Sequence, residues 1–136
     1  LDIKQLRGKL TLLMFAITTS YTCIEDFTLL RKLLSSYGEH LEVVTLCADE
    51  NTESAVKFIE SQGYDWHFAM LEEQKELLEH YDVRAFPTYY LLDERGLLLY
   101  SPVRSPREGL ESLLFQLFRQ RGWRPKELQN QNRHIK

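Results

Sequence analysis

Cysteine is scarce in this chain and occurs only at Cys23 and Cys47. Two cysteines are too few for a disulfide-stapled scaffold, and the pair does not form a C-x-x-C metal knuckle. No apolar run approaches the roughly 20 residues that cross a bilayer, so the chain itself is not predicted to span a membrane. The formal net charge of -3 argues against a nucleic-acid partner. The four histidines show no paired metal-ligand spacing, so neither a metal nor another cofactor is predicted.

The chain does have enough apolar sequence for one globular core. Of its 136 residues, 43% are hydrophobic, which suits a single domain. Residues 1–122 carry the alternating apolar pattern and are predicted to form that domain. Residues 123–136 are polar and are predicted to be a C-terminal tail.

Apolar periodicity predicts strands that alternate with helices and end in a hairpin and a closing helix. This order predicts an α/β sandwich with a mixed central sheet. The predicted elements are a strand at 10–18, a helix at 22–36, a strand at 41–48, a helix at 52–62, a strand at 67–70, a helix at 72–81, a hairpin of strands 88–92 and 97–102, and a helix at 106–120.

Two short motifs lie at the ends of predicted strands. S-Y-T-C, from Ser20 to Cys23, follows the first strand, and F-P-T, from Phe86 to Thr88, opens the hairpin. Together with the strand G-K-L-T-L-L-M-F-A, these motifs resemble the thioredoxin-like superfamily in its TlpA/ResA-type and peroxiredoxin-like branches. The resemblance implies a three-layer α/β/α sandwich with a mixed central sheet and a TlpA-type αβ insertion at residues 52–70.

The S-Y-T-C motif departs from the family's C-x-x-C. The resemblance places Ser20 at the position of the attacking cysteine and Cys23 at that of the resolving cysteine, so an intramolecular dithiol/disulfide cycle is not predicted. Thr19 replaces the tryptophan that commonly precedes the motif, and Met14 stands where many thioredoxins have a buried acid. Cys47 is expected to pack at the end of its strand; a bridge to Cys23 would need α-carbons within about 7 Å.

Ser20 and Cys23 each have two interpretations. The Ser20 hydroxyl suits an N-cap that accepts from the Cys23 N–H, for which Thr22 competes, and catalysis by Ser20 is the alternative. Cys23 is either a small packed residue or a reactive thiol. A helix start lowers the pKa of a thiol, whereas burial and the nearby carboxylates of Glu25 and Asp26 raise it.

The F-P-T motif is similar to the family's cis-proline loop, whose backbone pairs with an extended substrate strand. It implies a docking groove at Phe86, Pro87 and Thr88 for a protein or peptide partner. An ordinary turn proline at the start of an edge strand is the alternative. Tyr89 and Tyr90 point to opposite faces of their strand, and one of them is expected to be exposed near this loop.

These motifs lead to one preferred function and one alternative. The preferred function is a degenerate thioredoxin-like domain of a bacterial envelope protein that keeps the docking groove and lacks dithiol oxidoreductase activity. The alternative is a one-cysteine thiol enzyme, either a peroxiredoxin-like peroxidase or a monothiol disulfide exchanger, with Cys23 as nucleophile and Ser20 as orienting hydroxyl. In the peroxidase alternative, Ala16 replaces the family's proline and Arg84 is the candidate for its activating arginine.

The resemblance also implies a location. TlpA-type domains usually face the periplasm, tethered by an N-terminal helix or lipid. The abrupt start at Leu1 is compatible with the removal of such an anchor. A periplasmic or cell-envelope location, with a tether in the full-length protein, is therefore expected.

Overall fold

The computed structural model describes residues 6–72 and 74–126. Strands and helices alternate along these residues in the predicted order. The elements are β1 (Leu10–Ala16), α1 (Tyr21–Tyr37), β2 (Leu41–Cys47), α2 (Thr52–Gln62), β3 (His67–Met70), α3 (Glu76–His80), β4 (Thr88–Leu92), β5 (Leu98–Tyr100), a 3-10 turn (Pro106–Glu108) and α4 (Leu110–Gln120).

The strands form one mixed sheet, which confirms the sequence prediction. Their order is β3-β2-β1-β4-β5. β1, β2 and β3 run parallel, whereas β4 is antiparallel to β1 and β5 is antiparallel to β4. α2 and β3 form the predicted insertion, and β3 extends the sheet beyond β2.

Helices cover both faces of this sheet. Alternate residues of β1, from Leu10 to Ala16, join a large core with α1 and α4. Phe15 points the other way and joins a smaller core with Leu77 and Leu78 of α3. A strand buried on both faces needs apolar residues at nearly every position, which explains the continuous apolar run of β1. The three-layer α/β/α prediction is confirmed.

Phe27 packs α1 against the insertion. Its side chain is fully buried, and its ring centroid lies 5.1 Å from that of Tyr64, 5.8 Å from Phe68 and 6.1 Å from Trp66. Trp66 also donates from Nε1 to the Thr45 hydroxyl at 2.9 Å. Aromatic pairs at such distances stabilise a core beyond the area they bury, so this cluster fixes the insertion on α1.

Two predicted helices begin too early. The helix predicted at 106–120 is wrong in its first turn, because Gly109 has a φ of 99° and separates the 3-10 turn from α4. Glycine adopts this backbone region without the steric cost of a Cβ. α3 is also shorter than the predicted 72–81, and Glu72 has a φ of 42°, which a right-handed helix excludes.

Neither Tyr89 nor Tyr90 is exposed, which corrects the expectation of one free tyrosine. They are 2% and 4% exposed. They do point to opposite faces, since Tyr89 lies in the large core and Tyr90 in the small one. The Tyr90 hydroxyl donates to the Tyr81 carbonyl. Because helices cover both faces of β4, both rings are buried.

Trp123, just after α4, packs against the large core. Its ring stacks on His40 with centroids 4.3 Å apart and meets Phe118 at 5.4 Å. The predicted boundary between domain and tail at residue 122 stays a prediction, and residues 127–136 of the tail lie outside the described residues.

Candidate functional site

The two sequence motifs lie together at one end of the sheet. β1 leads into the S-Y-T-C turn, and Thr88 at the start of β4 lies opposite Phe15 near the end of β1. On the other side of β1, Ala16 lies opposite Cys47 of β2. The antiparallel pairing of β1 with β4 therefore brings the Pro87 loop beside the start of α1.

Ser20 is the N-cap of α1. Its backbone is extended, and its Oγ accepts a hydrogen bond from the Cys23 N–H at 3.3 Å. Thr22, the competing cap in the sequence, lies inside the helix. The Ser20 hydroxyl thus pairs one of the N–H groups that a helix start leaves without an intrahelical partner.

We expect Ser20→Ala to lower the free energy of unfolding by about 1 kcal/mol, the usual cost of losing a serine cap. Urea denaturation measures this loss. Ser54→Ala is the control, because Ser54 is an exposed residue in the first turn of α2, and it should change stability by less than about 0.5 kcal/mol. Unchanged stability in Ser20→Ala would contradict the capping role.

The Cys23 thiol is fully buried. Burial is the largest influence on its pKa and raises it above the usual value, while hydrogen bonds with the Ile17 backbone and the Ser20 hydroxyl lower it. The charges of Asp26 and Asp49 raise the pKa further. A thiol acts as a nucleophile only as its thiolate, so Cys23 is poorly set up for attack near neutral pH.

Cys47 packs at the end of β2, as expected, and is 1% exposed. Burial raises its pKa to about 12, and the nearby groups Asp49 and Cys23 add to the rise. The two thiols are close enough to influence each other electrostatically, yet both are free. Cys47 therefore supplies no ready thiolate to the site.

The Pro87 loop forms the opposite side of the site. The Phe86–Pro87 peptide bond is cis, and the Thr88 hydroxyl donates to the Ala85 carbonyl at 2.6 Å. Phe86 is half-buried and contacts both cores. Beside it lies a cavity of about 460 Å³, lined by Ile17, Thr18, Thr19, Ala48, Asp49, Glu50, Asn51, Ser54 and Phe86.

Asp49 joins the turn after β1 to the end of β2. Its carboxylate accepts from the Thr18 N–H at 2.9 Å and from the Thr18 hydroxyl at 2.7 Å. Asp49 is 8% exposed. Sequence reasoning did not identify this contact, which joins residues 31 positions apart. It fixes one wall of the cavity and places a negative charge near Cys23.

Asp26 is a second carboxylate of the site, which the sequence placed near Cys23 without indicating its partners. It is fully buried on α1. Its Oδ2 accepts from the Tyr89 hydroxyl at 2.7 Å, and its Oδ1 accepts from Nε of Arg107 at 2.6 Å. Met14, where many thioredoxins carry an acid, is buried among apolar residues. The signal for its burial is the helical spacing that places Asp26 on the apolar face of α1 beside Phe27.

Arg84, the candidate for a peroxidase arginine, lies on the surface. Its side chain is 85% exposed and pairs with Asp82 at 3.0 Å. An exposed arginine with its own carboxylate partner is poorly placed to lower the pKa of the buried Cys23 thiol.

Residues 6–72 and 74–126 contain neither a metal-ligand cluster nor a membrane-spanning helix. No group of three or more His, Cys, Asp and Glu side chains among them is arranged to hold a metal ion. None of their helices is both long and apolar enough to cross a bilayer.

Comparison with known proteins agrees with this fold. The Redoxin family model matches residues 1–114. The chain belongs to the Redoxin family. Within it, this Redoxin chain is a TlpA/ResA-type member of the thioredoxin-like superfamily. It is 31% identical over 117 residues to the thiol-disulfide oxidoreductase ResA of Bacillus cereus, a match that covers 84% of the chain and 66% of ResA.

Two further relatives define how far the similarity extends. The Redoxin chain is 31% identical over 99 residues to the thioredoxin-like protein YneN of Bacillus subtilis, covering 71% of the chain and 58% of YneN. It thus spans two thirds or less of the length of these curated relatives. The thioredoxin domain of a thiol-disulfide oxidoreductase from Bacteroides vulgatus superimposes with a TM-score of 0.75, at 19% identity, over 86% of this chain and 84% of that domain. The thioredoxin-like fold is confirmed.

Proposed function

We propose that this chain is a degenerate thioredoxin-like domain of a bacterial envelope protein, which docks an extended peptide and does not run a dithiol exchange cycle. The observation that carries the proposal is the Ser20–Cys23 contact. Where the family has an attacking sulfur, this chain has a hydroxyl that accepts from the Cys23 N–H at 3.3 Å. The remaining sulfur is buried beneath it, so no pair of sulfurs is available at the start of α1.

The cavity beside Phe86, between the turn before α1 and the segment that follows β2, supports peptide docking. Its volume of about 460 Å³ falls in the usual range for ligand sites, about 300 to 1,000 Å³. Ile17 and Phe86 give it an apolar part, whereas Thr18, Thr19 and Asn51 give it hydrogen-bonding groups. An extended peptide needs this mixture, since its backbone seeks polar partners and its side chains seek apolar contacts.

A location outside the cytoplasm is part of the proposal. It rests on the TlpA/ResA-type membership of the chain, because domains of that type usually face the periplasm or envelope. The expected partner there is a protein or peptide that meets the Pro87 loop in an extended conformation.

Reduction of insulin by dithiothreitol tests the absence of dithiol activity. We expect this chain to leave the reduction rate at background, because one buried thiol cannot complete the exchange. Ser20→Cys is the matched positive control, since it places a second sulfur at the start of α1. Turnover well above background that disappears in Cys23→Ser would contradict the proposal.

Docking is tested separately with reduced, alkylated insulin B chain as an extended probe peptide. In ¹⁵N-labelled protein, amide signals of the Thr18–Ser20 turn and of Thr88 are expected to shift on titration, and Phe86→Ala should weaken the response. Shifts confined to the opposite end of the sheet would contradict a groove at the Pro87 loop.

The peroxidase alternative has less support from the site. The raised pKa of Cys23 and the surface position of Arg84 both oppose a thiolate that reacts rapidly with hydrogen peroxide. Loss of the Cys23 thiol with peroxide faster than that of free cysteine would favour this alternative.

A further inference from the structure

A buried polar network connects the start of α1 to β4 and to the 3-10 turn before α4. Asp26 is its centre and has no exposed surface. Tyr89 donates to one carboxylate oxygen at 2.7 Å, and Arg107 donates to the other at 2.6 Å. Tyr89 is itself buried, whereas the Arg107 side chain is 42% exposed. Arg107 therefore reaches from the surface to a carboxylate in the core.

The ionisable groups near the Cys23 thiol are carboxylates, which carry negative charge, and a thiol and a phenol, which become negative when they lose a proton. Asp26 lies on its own helix, Asp49 and Cys47 lie at the end of β2, and Tyr89 lies on β4. Arg107 is the one cation in direct contact with this set of described residues, through Asp26. A carboxylate in a poorly solvated region acts strongly on a neighbouring ionisation, and a paired guanidinium offsets much of its field.

We propose that Arg107 is a positioning residue for the Cys23 thiol, and that it acts through Asp26. By holding the carboxylate between its own Nε and the Tyr89 hydroxyl, Arg107 offsets the negative charge that opposes ionisation of Cys23. This role rests on the proposed function only in taking Cys23 as part of the site. Because Arg107 is half-exposed, a partner that covers or displaces its guanidinium changes the ionisation of a thiol that it never touches.

The pH titration of Cys23 tests this role. The ¹³Cβ shift of labelled cysteine, followed in a Cys47→Ala background, reports ionisation without a reagent that must reach the buried sulfur. Arg107→Gln is expected to move the midpoint upward by about half a pH unit, which is about threefold less thiolate below the midpoint. Asp26→Asn is expected to move it downward by a similar amount.

One double variant and one conservative variant separate an electrostatic role of Arg107 from a structural one. In the Asp26→Asn background, Arg107→Gln should leave the midpoint almost unchanged, because the carboxylate that holds the guanidinium at the core has gone. Arg107→Lys keeps a cation and should restore most of the wild-type midpoint. Arg84→Gln is the control, since its partner Asp82 lies on the surface, and it should not move the midpoint.

An unchanged midpoint in a folded Arg107→Gln protein would overturn the proposal, as would an equal shift with and without Asp26. Arg107→Met, which keeps the apolar stem of the side chain, replaces Arg107→Gln if the latter fails to fold. The insulin assay is independent of this titration. Dithiol activity together with a midpoint shift would refute only the proposed function, whereas background activity with an unchanged midpoint would refute only the role of Arg107.

Discussion

Phe27→Ala is expected to lower the free energy of unfolding by about 3 to 5 kcal/mol, the usual cost of removing a buried phenylalanine side chain. Phe27 has no exposed surface and contacts the rings of Tyr64, Trp66 and Phe68. Alanine would leave a cavity between α1 and the insertion that these rings cannot readily fill. Native domains have only about 5 to 15 kcal/mol of stability, so the melting temperature should fall by more than about 10 °C.

Tyr21→Ala is the matched control for Phe27→Ala. Tyr21 lies on the same helix, but its side chain is 76% exposed. Its loss should change the free energy of unfolding by less than about 0.5 kcal/mol. Calorimetry and urea denaturation measure both variants. If Phe27→Ala cost no more than Tyr21→Ala, the aromatic cluster would not be what holds the insertion on α1.

Arg107→Met is expected to lower the free energy of unfolding by about 2 kcal/mol. Removing one partner of a fully buried ion pair costs about 3 to 5 kcal/mol, because the other charge is left uncompensated. The smaller value applies here because the Arg107 side chain is 42% exposed and water reaches the pair from that side. The Asp26 carboxylate would keep only the Tyr89 hydroxyl as donor.

Double variants separate the charge from the packing of Arg107. In an Asp26→Asn background, Arg107→Met should cost much less than about 2 kcal/mol, because no buried charge is left behind. Arg84→Met removes a similar side chain from an exposed pair and should cost less than about 0.5 kcal/mol. Equal costs for Arg107→Met with aspartate and with asparagine at position 26 would contradict the ion-pair explanation.

The sequence predicted the fold better than the site because of the range of the contacts involved. Apolar periodicity and local turn signals define each strand and helix from residues within a few positions, as β1 and α2 show. The break at Gly109 was missed because an apolar stripe runs on from Leu110, and Pro106 suits both a helix start and a 3-10 turn. Only the observed φ of Gly109, 99°, distinguishes the two.

The site contacts that sequence reasoning missed join residues far apart along the chain. Asp26 meets Tyr89 and Arg107 across 63 and 81 positions, and Asp49 meets Thr18 across 31. A carboxylate beside a cysteine is visible in the sequence, but its ionic partner is not. In contrast, the Ser20 cap rests on a spacing of three residues, and it could be predicted from the S-x-x-C pattern alone.

The network around Asp26 also constrains the order in which the chain can mature during its synthesis. α1 leaves the ribosome with a carboxylate on the face that must be buried, while both of its partners are still untranslated. Burying an unpaired charge costs several kcal/mol. The docking of α1 onto the sheet is therefore disfavoured until Tyr89 and then Arg107 have been synthesised. Nascent chains that stop short of Arg107 should therefore expose the apolar side of α1, where a chaperone or a protease can reach it.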